Sequence, residues 1–425
     1  MILKAVILIG GPSKGTRFRP LSLDIPKPLF PIAGLPVIQH HIEACSKVQN
    51  LSEILIIGSY LTADLAQFIH EMTTTYNIVI RYLQEFTMLG TAGGMYHFRD
   101  QIRSGSPTHF FVMNGDVCAD FPLQEIVEFH TEKQALLTIM ATEATRQQSM
   151  NYGCMVLGKE WEVTHYVEKP STFVSTLINC GIYLASPDIF QIMADAFYAG
   201  QHQETFTNFM SRQFNGNGRD PAHISLEQDI LTRLAGTGRL FALPVLRWWS
   251  QVKTAGSAIY ANRHYLALYK KNSSKCLDFT SKESCQIIGD VYIHPSAVVH
   301  PTAVLGPNVS IGQNAIIAPG VRIRESIILA NAHIQAHSIV LHSIIGKSSY
   351  VGEWARIEGT PCDPNADKPF AKMENLPLFN TNGKLNPSIT ILGTSVRLAA
   401  EKILLNSIVL PHKELTRNFK NEIIL

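Results

Sequence analysis

Charge of either sign is scarce in this chain of 425 residues: 16% are Asp, Glu, Lys or Arg, and the formal net charge is +2. So small an imbalance, without a long basic run, argues against nucleic acid or an anionic membrane as a partner. Cysteine is equally sparse. Cys45, Cys118, Cys154, Cys180, Cys276, Cys285 and Cys362 are an odd number with no Cys-x-x-Cys pair, which speaks against a disulfide scaffold and for reduced thiols in the cytoplasm. No apolar run reaches membrane-spanning length. The apolar start, Met1 to Ile9, is short and runs into Gly10-Gly11-Pro12, so it reads as a first strand and not as a signal peptide. What is present is a 46% apolar chain, long enough for two domains with a core each.

The chain is organised around Ile7 to Gly34. An apolar run, Ala5 to Ile9, meets Gly10 and Gly11, as expected of a buried parallel strand that ends in a loop approaching a ligand closely. Lys14, Arg17, Arg19 and Lys27 follow among glycines and prolines, so backbone amides and cations can converge on phosphate oxygens. Strand-like and helix-like segments then alternate to about residue 250: a helix over Pro36 to Lys47, a strand at Ile54 to Ile57, a helix over Leu61 to Met72 and a strand at Ile78 to Leu83. This is the pattern of βαβ units. Phe110 to Met113 is a further buried strand, and Asn114-Gly115-Asp116 at its carboxyl end falls at the sheet edge where such folds bind ligands.

The string Gly10-Gly11-Pro12-Ser13-Lys14-Gly15-Thr16-Arg17-Phe18-Arg19-Pro20, with Pro26-Lys27-Pro28 beyond it, resembles the signature of sugar-1-phosphate nucleotidyltransferases. The resemblance implies a Rossmann-like α/β domain whose glycine loop wraps a nucleoside triphosphate, with Arg17 and Lys27 at the phosphates. It also implies a magnesium-binding carboxylate at Asp116, since magnesium is held by one or two carboxylates together with substrate phosphates. Glu85, followed by the turn at Gly90, matches the segment that holds the base, and could accept from N1-H and the 2-amino group of guanine. On chemistry alone the same stretch serves equally as a helix entry loop. Tyr152-Gly153, Glu168-Lys169-Pro170 and Asn179-Cys180-Gly181 resemble the family's sugar motifs in order and spacing. Ser225 to Asp229 matches it too, with a structural role expected.

Two departures stand out. Pro12-Ser13-Lys14 occupies the place of one residue in the catalysts, and Pro12 removes an amide donor. At Trp248-Trp249-Ser250-Gln251 the family's active members carry an Asp as second magnesium ligand, where this chain has Gln251. An amide withholds a full charge from the metal, and a loss of roughly 10² to 10⁴-fold in rate is the expectation.

A polar link, 270–284, leads to a repeat of six. Val291, Ala297, Ala303, Val309, Ala315, Val321 and Ile327 form one row, and Ile293, Val299, Leu305, Ile311, Ile317, Ile323 and Leu329 another. Three hexads make one coil of a left-handed parallel β-helix over 285–425. After a slip of one, Ile339, Ile345, Val351 and Ile357 resume the pattern, and 361–387 interrupts it. Such coils also occur in acyltransferases, and His294, His300, His333, His337 and His342 raise that reading, but it leaves the domain 1–269 without a purpose.

Over both domains the chain resembles the mannose-1-phosphate guanylyltransferases, and their regulatory chains more than their catalytic ones. That implies GDP-mannose sensing at Gly10, Gly11, Glu85, Gly90, Asn114, Gly153, Glu168, Lys169, Asn179 and Gln251, with magnesium possible at Asp116. It also implies a catalytic beta-type partner and association into homo- and hetero-oligomers. The alternative is an active guanylyltransferase making GDP-mannose from GTP and mannose 1-phosphate.

Overall fold

The computed structural model describes residues 1–13, 15–199, 223–271, 285–374 and 377–425; Lys14 and most of the expected link, 272–284, lie outside them. The chain divides into two compact units. One comprises Met1–Lys14, Ile38–Trp249 and Asn365–Lys372, and the other Gly15–Val37, Ser250–Pro364 and Met373–Leu425.

The first unit is built on a mixed sheet. Strand β1 (Leu3–Gly10) is buried over its first five residues and is flanked on both sides, in parallel, by β2 (Leu51–Gly58) and β4 (His109–Asn114). A strand covered in this way reads as a continuous apolar run, which is why Ala5–Ile9 shows no alternation. β3 (Val79–Gln84) continues the parallel set beyond β2. Because β1, β2 and β4 run the same way, Gly10, Gly58 and Asn114 end at one sheet edge.

On the other side of β4 the sheet turns antiparallel. β8 (Leu177–Ala185) pairs with β4 and with β5 (Leu137–Glu143), and touches β6 (Gly153–Leu157) at Ile178 and Cys154. β7 (Val163–Glu168) pairs antiparallel with β6, and β9 (Leu240–Pro244) lies parallel to β5. Phe110, Met155, Tyr183 and Ile230 belong to the core that this sheet encloses with its helices.

The helices α1 (Val37–Ser46), α2 (Thr62–Tyr76), α3 (Gly90–His97) and α4 (Leu123–Glu132) fill the crossovers. α2 runs a turn past the expected Met72, and along that turn the hydroxyls of Thr73, Thr74 and Thr75 donate to carbonyls four residues back. It stops where Asn77 turns left-handed at φ 51°.

The second unit contains helix α5 (Ala255–Lys271) and the coils. Among the described residues the coil strands form three parallel sheets of 7, 7 and 6 strands, the arrangement of a left-handed β-helix. Early coils hold eighteen residues: Ile293 stacks beneath Ile311, and Leu305 beneath Ile323. From Ile311 to Ile328 the step is seventeen, and it stays seventeen from Ile328 to Ile345.

One residue is dropped at the corners where Glu325 (φ 47°) and His342 (φ 45°) adopt left-handed backbone, and the last coil is shorter still, with a step of 15 from Leu404 to Phe419. The slip therefore recurs. Val340, not the expected Ile339, points into the core, while Ile345, Val351 and Ile357 fall inward as expected. Beyond the interruption the coil picks up in register, with Ile344 against Ile391 and Ile357 against Leu404.

Candidate functional site

The loop after β1 is shaped by contacts that only glycine permits. Gly10 has φ 63°. A Cβ on Gly11 would lie 1.9 Å from the Ser59 Oγ, so the loop is pressed against the start of the β2 loop, where the Ser59 amide donates to the Gly10 carbonyl at 2.7 Å. Gly10, Gly11, Ser59, Glu85, Met88 and Gly90 line a common cleft that opens to solvent.

Glu85 is held at the β3 end by its amide, which donates to the Gly58 carbonyl at 2.7 Å. Its carboxylate lies over α3, where a Cβ on Gly94 would come within 2.1 Å of Oε1. Gly90 opens that helix at φ 80°, packed so that a Cβ would meet the Ile224 carbonyl oxygen at 2.4 Å. The amides of Ala92 and Gly93 donate to the same oxygen, so this helix start is capped by protein. Ser225–Asp229 thus has the structural role expected of it, with Thr91 donating to Glu227 and accepting from the Leu226 amide, each at 2.8 Å.

Asn114 ends β4, and its carbonyl is 3.2 Å from the His41 Nε2. Its side-chain nitrogen stands 2.6 Å from where a Cβ on Gly181 would be, and Gly181 has φ 73°. The Gly115 amide donates to the Leu8 carbonyl at 2.8 Å, which seats Asp116 at the edge that β1 also reaches. Among the described residues no three His, Cys, Asp or Glu side chains converge as metal ligands. A divalent cation at Asp116 would draw other ligands from phosphate oxygens and water, as magnesium commonly does.

The segments that resemble the family's sugar motifs meet around Tyr166, which the sequence reading did not single out. Its hydroxyl donates to Glu168 at 2.9 Å and accepts from the Asn179 amide at 3.1 Å. Asn179 also donates to the Tyr183 hydroxyl at 2.8 Å and accepts from the Gly181 amide at 2.9 Å. Burial, and next the Glu168 charge, push the Tyr166 phenol above its ordinary pKa, so it stays protonated. A Cβ on Gly153 would fall 2.0 Å from the Tyr166 hydroxyl. Lys169, at φ 47°, is exposed and lies 3.4 Å from Glu168. Tyr166 stands two residues before Glu168 on β7, hence on the same face, and that spacing was the available signal.

Arg17, Lys27 and Gln251 group with the second unit. Gly15, at φ 78°, opens the short turn Thr16–Phe18, with the Lys27 side chain 3.6 Å from its missing Cβ. The Gln251 Oε1 is buried and has no hydrogen-bond partner among the described residues. The coil histidines His294 and His300 engage Ser296 and Thr302 in their own turns, at 2.8 and 3.0 Å.

Two family models match the chain, nucleotidyl transferase over residues 4–264 and the GMPPB C-terminal domain over 287–424. Among curated relatives, the mannose-1-phosphate guanylyltransferase regulatory subunit alpha of Drosophila melanogaster is 62% identical, with all of both chains covered. The regulatory subunit alpha-A of Danio rerio is 56% identical and the regulatory subunit alpha of Homo sapiens 54%, again over 100% of each chain. A solved structure described as a glucose-1-phosphate thymidylyltransferase of Bacillus anthracis superposes with a TM-score of 0.50. It covers 61% of this chain and 94% of its own at 19% identity, a likeness of fold alone.

Proposed function

Since the chain belongs to the nucleotidyl transferase family, on the branch of the mannose-1-phosphate guanylyltransferase regulatory alpha subunits, we propose that it binds GDP-mannose and adjusts the output of a catalytic beta-type partner. In this reading the guanine enters the cleft between the Gly10-Gly11 loop and Glu85, whose carboxylate accepts from N1-H and the 2-amino group. Backbone amides of the glycine loop face the phosphates. Glu168 and Lys169 meet the sugar. Asn179, with its amide already committed to two tyrosines and to Gly181, acts chiefly by holding that wall in shape.

The observation that carries the reading is Gln251. Its neutral amide stands where the catalysts carry a metal-binding carboxylate, and its oxygen is buried without a donor among the described residues. A buried acceptor without a partner costs about 1–3 kcal/mol, and a ligand hydroxyl, an ordered water or a cation would relieve that cost. Asp116 would remain as a single carboxylate toward magnesium, which supplies charge neutralisation of phosphate when bound. One carboxylate suits holding a nucleotide sugar better than driving phosphoryl chemistry.

The competing reading, an active guanylyltransferase, is favoured by Asp116 and Lys27 being in place in the sequence. One pair of measurements separates the two. The pure chain, given GTP, mannose 1-phosphate and magnesium, is expected to form GDP-mannose at least about 10²-fold more slowly than an active homologue. Calorimetry is expected to show GDP-mannose binding that Glu85→Ala weakens. Turnover matching the active homologue, or unchanged binding in Glu85→Ala, would overturn the assignment.

A further inference from the structure

Lys372 lies in the stretch that interrupts the repeat, yet Asn365–Lys372 packs as part of the first unit. Its backbone is gripped by one side chain. The Lys372 amide donates to the Gln148 Oε1 at 2.8 Å, and the Gln148 Nε2 donates to the Lys372 carbonyl at 2.7 Å. Gln148 is aimed beforehand: it sits in the short helix Arg146–Ser149, and the Thr145 hydroxyl at the cap donates to its Oε1 at 3.1 Å. The paired geometry of a carboxamide on the N–H and C=O of one residue is selective for an extended strand and indifferent to its side chain.

The side chain of Lys372 then reaches inward. Its ammonium is 3.4 Å from the Thr142 Oγ1 and 5.8 Å from the centre of the Trp249 ring, within cation–π range. Burial lowers its pKa, with Cys180 and Glu143 acting the other way.

Each of these two contacts leads to a neighbour of Asn179. Thr142 is the β5 partner of Ile178 on β8. The Trp249 indole N-H donates to the Cys180 carbonyl at 2.9 Å and is itself buried, with Tyr152 edge-on at 5.6 Å. Lys372 therefore touches the two groups that hold the backbone on either side of Asn179, the residue that orders Tyr166 and Gly181.

We propose that Lys372 is a positioning residue that latches the insertion to β8, so that docking of 365–372 and order in the sugar wall at 177–183 form one cooperative unit. The proposal deepens the reading of this pocket as a nucleotide-sugar site and rests on it only for the ligand arm below. Coupling is reciprocal: if an ordered sugar wall favours the docked insertion, the docked insertion favours the ordered wall by the same factor.

Amide hydrogen exchange on the full chain tests it, with Lys372→Ala, Gln148→Ala and the conservative Lys372→Arg. Both alanine variants are expected to speed exchange roughly tenfold, in 365–372 and also in 177–183, while Lys372→Arg stays near the parent. Circular dichroism melts verify that each variant is folded. Faster exchange confined to 365–372, or none in Gln148→Ala, would overturn the latch. In the ligand arm, GDP-mannose is expected to slow exchange in both segments of the parent, and only in 177–183 once Lys372 is Ala. If GDP-mannose changes nothing in the parent, the binding reading fails, while the alanine variants still decide the latch.

Discussion

His130 in α4 is 1% exposed, with its two ring nitrogens 2.8 Å from the Thr138 hydroxyl and 3.2 Å from that of Ser186. The His109 ring is edge-on at 4.7 Å. Burial first, and the neighbouring His109 second, pull the His130 pKa down to about 3 from 6.5. The folded value lies below the unfolded one, so on acidification the unfolded chain takes up the proton first. The stability from the neutral ring is complete above about pH 6.5 and is lost as pH falls toward the folded value, by up to about 1.4 kcal/mol per pH unit. Urea midpoints at pH 7 and 5 check this: the parent is expected to lose stability over that interval, and His130→Gln to lose measurably less. Nothing local marks this histidine in the sequence, because its partners are 8 and 56 positions away. Gln251, by contrast, was legible at once, since a missing carboxylate is a property of one position read against a motif.

Helix α3 illustrates how an element serves a site without touching the chemistry. Gly94 is buried on the helix face beneath Glu85, and an added methyl would lie 2.1 Å from the Glu85 Oε1 and 3.4 Å from the Ile57 Cγ2. The atom that must give way is the end of a flexible side chain. Gly94→Ala is therefore expected to keep its fold, helped by the better helix propensity of alanine, while moving the carboxylate from the place proposed to meet the base. Affinity for GDP-mannose by calorimetry is expected to fall about tenfold or more, near the loss in Glu85→Ala. Affinity equal to the parent's would place the base elsewhere. The sequence left a base-binding segment and a helix entry loop open for the stretch from Glu85 to Gly94. Gly90 does open α3, and the calorimetry decides whether Glu85 also meets a base.

At the scale of the whole molecule, the interruption leaves the stacking of the coils continuous. Its ends meet where the Thr360 amide donates to the Ser388 carbonyl at 2.9 Å, and the pairs Ile344 with Ile391 and Ile357 with Leu404 carry the coil across it. In a stacked array each coil depends mainly on its neighbours. Replacing 361–387 by a short turn is thus expected to leave the coils folded, with the melting temperature changed by no more than a few degrees, and to weaken GDP-mannose binding about as much as Lys372→Ala does. Partner turnover measured against GDP-mannose concentration is expected to lose most of its feedback. Full feedback from an assembled, loopless complex would return the insertion to decoration.

What the sequence by itself determined is whatever repeats or stands at fixed local spacing: the βαβ alternation, the hexad rows, the glycine loop and its extra residues, and the amide at Gln251. These follow from short-range periodicity and from motif order, both carried in consecutive residues. The tertiary structure alone decided the rest. The slip that returns in successive coils depends on left-handed corners at Glu325 and His342, where no glycine or asparagine marks the turn, so Ile339 and Val340 could not be told apart by pattern. The commitment of Asn179 to Tyr166 and Tyr183, and the grip of Gln148 on Lys372 across 224 positions, belong to the same class. A hydrogen bond between distant segments leaves no period in the chain; it exists only once the sheet has set its strands side by side and burial has made an unpaired polar group costly.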